Sequence, residues 1–204
     1  MKKIRLIISC LIVFVILFFG WLITTNMTSG ESIDVNNMVK ISNPTPKTTI
    51  QYIPLGIPYI NSSFKTYMDY KSVTDKDSSQ YKLIKSWGWI DAEGFMRCNR
   101  EEDLEIEEHY YFIALGSYYG TKIGTKYRIT TDSGKIFYGV LADCKSDIHT
   151  NSTNQYNSWN GNIVEFLVDT TLLNNDIKKI GSANVYMPLN GSITKIERID
   201  FMEE

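Results

Sequence analysis

Hydrophobic and polar positions divide the chain into three parts. The first is an uninterrupted apolar run at residues 6–23, which contains no charged side chain. Residues 24–49 are polar, include prolines and show no apolar periodicity, which predicts a flexible linker. From Gln51 the chain becomes rich in aromatic and apolar residues, which predicts one folded domain over residues 50–204.

Short apolar runs separated by turn residues predict a mainly β fold for this domain. Strands are expected at residues 109–115, 126–131, 136–143, 162–169 and 193–199. Many short strands with a turn about every ten residues are typical of a small barrel rather than a parallel sheet. We therefore expect a small β-barrel with its core at about residues 109–200.

The remaining segments predict one hairpin and one or two short helices. Residues 81–90 and 94–98 are expected to pair as a hairpin that turns at residues 91–94. Asn61 is expected to cap a short helix. A second helix is expected over residues 170–180, and Gly181 is expected to end it.

The apolar run predicts a transmembrane anchor. As a helix, residues 6–23 would reach roughly 27 Å, close to the hydrocarbon thickness of a bilayer. Residues 1–5 carry Lys2, Lys3 and Arg5, whereas the first charges after the run are acidic. This asymmetry predicts a cytoplasmic N-terminus, with the domain outside the cell membrane and the lipid bilayer as a partner. The alternative is a cleaved signal peptide, which would make the domain a secreted protein.

Composition and charge narrow the class of partner. The chain has 21 Lys and Arg against 23 Asp and Glu, and no basic stripe, so we expect no nucleic-acid partner. Its 13 tyrosines, 9 phenylalanines and 4 tryptophans favour strands, and they also favour surfaces that stack against sugars or peptides.

The thiols and the polar loop suggest no cofactor. Cys98 and Cys144 are the cysteines of the exported domain, so they are a candidate disulfide in an oxidising compartment. Asp143, Asp147 and His149 lie close together along the chain, but this pattern is more typical of hydrated loop residues than of metal ligands. We predict neither a metal site nor a cofactor.

Three segments together resemble a known family. IGTKYRIT (residues 123–130), LADCKSD (141–147) and NIVEFLVD (162–169) follow one another in the order found in the double-psi β-barrel of RlpA-like and three-aspartate cell-wall proteins. Gly124 and Thr125 match the family's P-L-G-T turn, Asp143 matches its A-D-T-G segment, and Glu165 stands where its R-I-D strand carries Asp. The resemblance covers about residues 111–169, and it implies a small six-stranded double-psi-like β-barrel.

The resemblance implies a groove in which carboxylates act on peptidoglycan. Asp143 and Glu165 are the acid/base candidates, because two converging carboxylates can hold one of them protonated near neutral pH. The family's first aspartate has no counterpart at residues 114–116, and Lys145 replaces a glycine that lets the chain approach a ligand. These departures favour binding over catalysis.

Two functional hypotheses follow from the residues. The first is a membrane-anchored extracytoplasmic module that binds peptidoglycan or a surface protein without cleaving it. The second is a lytic-transglycosylase-like enzyme that uses Asp143 and Glu165. The loop after the second motif supplies polar and aromatic candidates for contact with a glycan, namely Asp147, His149, Tyr156 and Trp159.

Overall fold

The computed structural model describes residues 48–98 and 109–203. These residues form a mainly β fold with nine strands and two α-helices, so the β-rich prediction is confirmed and the expected count of six strands is not. The strands are β1 (Thr48–Leu55), β2 (Thr66–Asp69), β3 (Gly88–Ile90), β4 (Met96–Cys98), β5 (Tyr110–Leu115), β6 (Lys126–Thr131), β7 (Ile136–Cys144), β8 (Glu165–Val168) and β9 (Ile193–Glu203). The helices are α1 (Ser79–Trp87) and α2 (Asn175–Ile180).

The described strands form one mixed sheet that branches at β5. The main order is β1-β9-β6-β7-β5-β4-β3, and β8 pairs with β5 on one side and with β2 on the other. β5 is parallel to β7 and antiparallel to both β4 and β8. β4 pairs with the start of β5, and β8 pairs with Ile113 and Ala114 further along. The order is that of an open sheet, with β1 and β3 at its ends.

The central strand β5 is buried on both faces. All six of its residues are buried, as is typical of a continuous apolar run in a covered strand. Because side chains alternate along a strand, Tyr111, Ile113 and Leu115 join one hydrophobic cluster, which we call the first cluster. Tyr110 and Ala114 point the other way and join the second cluster, which α1 partly covers.

The predicted hairpin is correct at its turn and wrong in its first arm. Gly94 has a φ of 89°, and its N–H donates to the Asp91 carbonyl at 3.1 Å, which closes the turn. The segment assigned to the first arm mostly forms α1 instead. The Ser78 hydroxyl accepts from the Tyr81 N–H at 3.1 Å, a helix N-cap that outweighs the local strand pattern and brings Ile84 into the second cluster.

The helix expected after Asn61 is absent. The Asn61 side chain accepts from both the backbone and the hydroxyl of Ser63, which forms a local turn that no helix continues. The following residues form β2, which pairs in parallel with β8. Thr66 and Tyr67 are residue types that favour strands, and pairing with a buried neighbour selects that conformation.

The C-terminal predictions are confirmed at the end of the helix and wrong at its start. α2 ends before Gly181, which adopts the left-handed conformation with a φ of 74°, but it begins at Asn175 rather than at residue 170, because the Asn174 side chain caps it there. β9 begins where expected and runs on to Glu203, pairing with both β1 and β6. β1 begins at Thr48, so the last two positions of the predicted linker belong to the sheet.

The predicted cytoplasmic stub, membrane helix and most of the linker lie outside the described residues. Across residues 48–98 and 109–203, every helix is too short or too polar to cross a bilayer.

Candidate functional site

Strand directions bring three loops to one end of the sheet. The parallel strands β5 and β7 both finish at this end. β8 is antiparallel to β5 and therefore begins there, and β2 begins there with it. Residues 56–65, 116–125 and 145–164 are the segments that leave or enter these strand ends.

The three loops contact one another directly. The Gln155 side chain donates to the Gly56 carbonyl at 3.3 Å. The Tyr118 N–H donates to the Asn154 carbonyl at 3.3 Å, and the Ser117 hydroxyl donates to the Asp147 carboxylate at 2.7 Å. Each contact joins two different loops, so the end of the sheet carries one continuous surface.

Asp143 and Glu165 lie on either side of Ala114. Ile113 pairs with Leu141 but Ala114 pairs with Asp143, so a bulge at the skipped residue changes the direction in which Asp143 points. Ala114 pairs on its other side with Glu165. Directly paired residues face the same side of a sheet, which puts both carboxylates on the face of the second cluster. Two strand spacings separate their backbones by about 10 Å.

The environment of Asp143 favours its protonated form. Burial raises the pKa of its carboxyl, and the neighbouring Glu165 charge acts in the same direction. Hydrogen bonds from the Cys144 N–H and the Gln80 side chain oppose this rise without cancelling it. α1 supplies Gln80, so the helix that the sequence pattern missed helps to hold Asp143 in place.

Lys145 is the residue of this site that sequence reasoning undervalued. Its side chain is only 4% exposed and its Nζ lies 3.3 Å from the Glu165 carboxylate. The same Nζ donates to the side-chain oxygen of Asn162, a buried residue. Burial lowers the pKa of Lys145, and the charge of Glu165 opposes that shift. Lys145 therefore neutralises Glu165 and leaves Asp143 as the carboxyl with a raised pKa.

The four binding candidates of the loop fall into different environments. Asp147 and His149 are exposed within a short 3₁₀ turn, Asp147–His149. Tyr156 is half-buried and packs against the first cluster, which gives it a structural role. Trp159 is 88% exposed. Among the described residues, no group of three or more His, Cys, Asp or Glu side chains is arranged to hold a metal ion.

Each of the three loops presents one exposed aromatic side chain. Tyr59 is fully exposed, Tyr118 is 47% exposed and Trp159 is 88% exposed. We call these three residues the aromatic loop surface. Trp159 was singled out from the sequence, whereas Tyr59 and Tyr118 were not, because only the fold shows that their loops touch the Trp159 loop.

The two cysteines of the domain are not joined to each other. Cys98 pairs with Tyr110 and Cys144 pairs with Leu115, which are the opposite ends of the six-residue strand β5. That separation is roughly 17 Å along the strand, well beyond the ~7 Å between Cα atoms that a disulfide can span. The thiols also pack against different clusters, so the prediction of a disulfide between Cys98 and Cys144 is wrong.

A separate groove of about 920 Å³ lies beside the second cluster. α1, the 119–126 turn and the end of β9 line it, and its walls include Gly124 and Thr125 of the family-like turn. Two of its cationic groups are already engaged. Lys126 lies over the Phe201 ring, and Arg198 pairs with Asp200 at 2.8 Å. Asp143 and Glu165 are not among the residues that line it.

Comparisons of the chain with protein-family models, with curated proteins and with solved structures found no match. Function is therefore inferred from the geometry of the chain itself.

Proposed function

We propose that the chain is a membrane-anchored extracytoplasmic module that binds cell-wall glycan, with peptidoglycan as its expected ligand, through the aromatic loop surface. The observation that carries the proposal is the presence of one exposed aromatic side chain on each of three contacting loops. Three large aromatic side chains, exposed on loops that contact one another, favour contact with a partner over exposure to water.

Aromatic side chains suit a glycan because a sugar ring offers an apolar face and a polar rim. A tyrosine or tryptophan can stack on that face while nearby polar groups bond to the hydroxyls. The surrounding loop is rich in such groups, including Asn151, Asn154 and Gln155. Backbone and side-chain bonds within the loop already order these amides, which reduces the entropy lost on binding.

Membrane attachment and the family resemblance belong to the same proposal. The uncharged run at residues 6–23 and the cations before it support an anchor with the domain outside the cell. The three sequence segments quoted above support a relation to double-psi barrels, and the open strand order of the described sheet does not add to that support.

A second candidate function is glycan cleavage by a lytic-transglycosylase-like mechanism. The observation that favours it is the raised pKa of Asp143 at the end of a strand that leads into the loop surface. A carboxyl that stays protonated near its working pH can donate a proton to a departing glycosidic oxygen. Lys145 opposes this function, because it neutralises the second carboxylate on which a paired acid/base mechanism would rely.

One experiment separates the two functions. The full chain, purified in detergent, is incubated with purified peptidoglycan, and both pelleting of the protein and loss of turbidity are recorded. Binding without catalysis predicts pelleting with constant turbidity. Cleavage predicts clearing that disappears in Asp143→Asn and persists in Asp176→Asn, an exposed aspartate of α2. If the protein does not pellet and the turbidity does not fall, both functions are overturned.

A further inference from the structure

Three side chains meet inside the fold where β7 ends and β8 begins. Lys145 follows β7, and Asn162 and Glu165 are three positions apart at the start of β8. The Lys145 Nζ donates to the Asn162 Oδ1 and lies 3.3 Å from the Glu165 Oε2. The Lys145 side chain is 4% exposed and Asn162 is buried, so the amine and the amide share a site that largely excludes water, and the Glu165 side chain beside them is 27% exposed.

We propose that Lys145 and Asn162 join through an intramolecular isopeptide bond, and that Glu165 moves the protons that its formation requires. An amine held against an amide with a carboxylate at its side contains every group that this reaction needs. The inference concerns the covalent structure of the domain and does not depend on glycan binding.

The reaction balances without any external reagent. Glu165 first takes a proton from the Lys145 ammonium, and the neutral Nζ attacks the Asn162 Cγ. A bond forms between Nζ and Cγ, the bond between Cγ and Nδ2 breaks, and Nδ2 leaves with a proton from Nζ as ammonia. The proton on Glu165 passes to that ammonia, which departs as ammonium and leaves Glu165 as a carboxylate. No electron is transferred to another molecule.

The surroundings favour each step. Burial lowers the pKa of Lys145, which makes the neutral, nucleophilic amine more accessible than on an exposed lysine. Direct contact with Asn162 replaces a bimolecular encounter by an intramolecular one, which raises the effective concentration of the amine by many orders of magnitude. The leaving nitrogen, Asn162 Nδ2, donates to the Asn160 side chain at 2.7 Å, so the orientation of the amide is set.

The bond would close the loop that carries Trp159. Residues 145 and 162 are the two ends of this segment, and a covalent link between them restricts the unfolded loop as a disulfide does. We expect the bond to protect the 145–162 loop against proteases.

Trypsin digestion of the reduced full chain tests the proposal. Without the bond, trypsin cuts after Lys145 and releases residues 136–145 and 146–178 as separate peptides. With the bond, Lys145 is no longer a cleavage site, and residues 136–178 appear as one species lighter by one ammonia molecule. Fragment ions should place the link between Lys145 and Asn162.

Controls exclude the other source of ammonia loss. Asn160 precedes Gly161, a pair that can form a succinimide with the same mass change. A succinimide leaves cleavage after Lys145 intact, opens in mild alkali and persists in Lys145→Arg. The isopeptide bond should disappear in Lys145→Arg and be unaffected by Lys135→Arg, a matched change at an exposed lysine.

The digest of the wild type shows whether the isopeptide bond is present, even if a variant does not fold. Two separate peptides of full mass, or an ammonia loss that survives in Lys145→Arg, would overturn the bond. In Glu165→Gln we expect slower or absent bond formation. Bond formation at the wild-type rate in that variant would overturn the role of Glu165 in proton movement.

Discussion

At the scale of single residues, the candidate site favours the neutral, protonated form of the Asp143 carboxyl group. Asp143 is partly buried, faces Glu165 and has a raised pKa. A group that the folded state prefers to keep protonated lowers stability when it is ionised. This combination is common where a residue is retained for function rather than for packing.

We predict that Asp143→Asn stabilises the folded chain at neutral pH. The folded pKa of Asp143 lies above its unfolded value of 3.8, so its ionisation reduces stability as pH rises through that interval. Asparagine removes the charge and can still accept the Cys144 N–H. The gain in unfolding free energy should vanish below pH 3.8, which urea denaturation across pH would measure. A gain in unfolding free energy that is independent of pH would contradict a raised pKa for Asp143.

A second residue with a perturbed pKa lies away from the site. Lys65 is completely buried, and its Nζ donates to the Ser63 carbonyl at 3.2 Å and to the Asn184 side chain at 3.2 Å. Burial lowers its pKa to about 8, and the charge of Asp132 only partly offsets this effect. Lys65 thus links the segment before β2 to the turn after α2, at the expense of a buried charge.

We predict that Lys65 makes stability rise with pH above about 8. Between a folded pKa of about 8 and the ordinary lysine pKa of 10.5, the unfolded chain binds the proton that the folded chain releases. The unfolding free energy should therefore increase from pH 8 to pH 10 in the wild type relative to Lys65→Met. Parallel pH profiles for the two chains would show that Lys65 keeps an ordinary pKa.

At the scale of elements, the close packing of β5 on β7 fixes the bulge that aims Asp143. Gly139 on β7 faces Ile113 on β5, and a Cβ added there would lie 2.4 Å from the Ile113 Cδ1. That distance is too short for two carbon atoms, so the glycine is required by the neighbouring side chain rather than by its backbone conformation.

We predict that Gly139→Ala destabilises the domain by about 1–3 kcal/mol through overpacking. Ile113→Val removes the Cδ1 atom that the new methyl group would meet, so the double variant should recover part of the loss. Urea denaturation of both single variants and the double variant measures the coupling. Strictly additive losses would show that Gly139 and Ile113 do not meet as described.

Much of the sheet was predictable because its strands have strong local signals. β6 matches its prediction at both ends, and β5 and β7 do so within one residue, since apolar runs and turn glycines bound them. α1 and β2 were missed because a serine cap and pairing with β8 decided their conformations. The conformation of α1 depends on one hydrogen bond, and the conformation of β2 depends on a partner strand about a hundred residues away.

The candidate site was predictable only in part. Asp143 and Glu165 were chosen from the family resemblance, and the structure brings them to the same face of β7 and β8, the strands on either side of β5. Lys145 and Asn162 lie within the quoted segments but match no functional position of the family, and their contact arises from the meeting of two strand ends. Tyr59 and Tyr118 are remote from Trp159 in sequence, so their common surface depends on loop contacts that no local pattern encodes.

At the scale of the whole molecule, the described domain keeps the hydrophobic clusters that stabilise it apart from the loops that we propose bind a ligand. Two hydrophobic clusters cover both faces of the sheet, whereas polar and aromatic residues gather in loops at one end. A parallel pair of strands at the centre causes this arrangement, because β5 and β7 deliver their following loops to the same end. The expected ligand is a polymer whose repeating rings can contact several loops at once.

The most direct test is a binding isotherm of the full chain on purified peptidoglycan for Trp159→Ala against Trp87→Ala. Both tryptophans are exposed, but Trp87 lies on α1, lines the separate groove and is not part of the aromatic loop surface. We predict a fivefold to tenfold weaker apparent Kd for Trp159→Ala, equivalent to about 1–1.4 kcal/mol of lost stacking, and wild-type affinity for Trp87→Ala. Equal affinity in both variants, or no binding by the wild type, would contradict recognition of glycan by the aromatic loop surface.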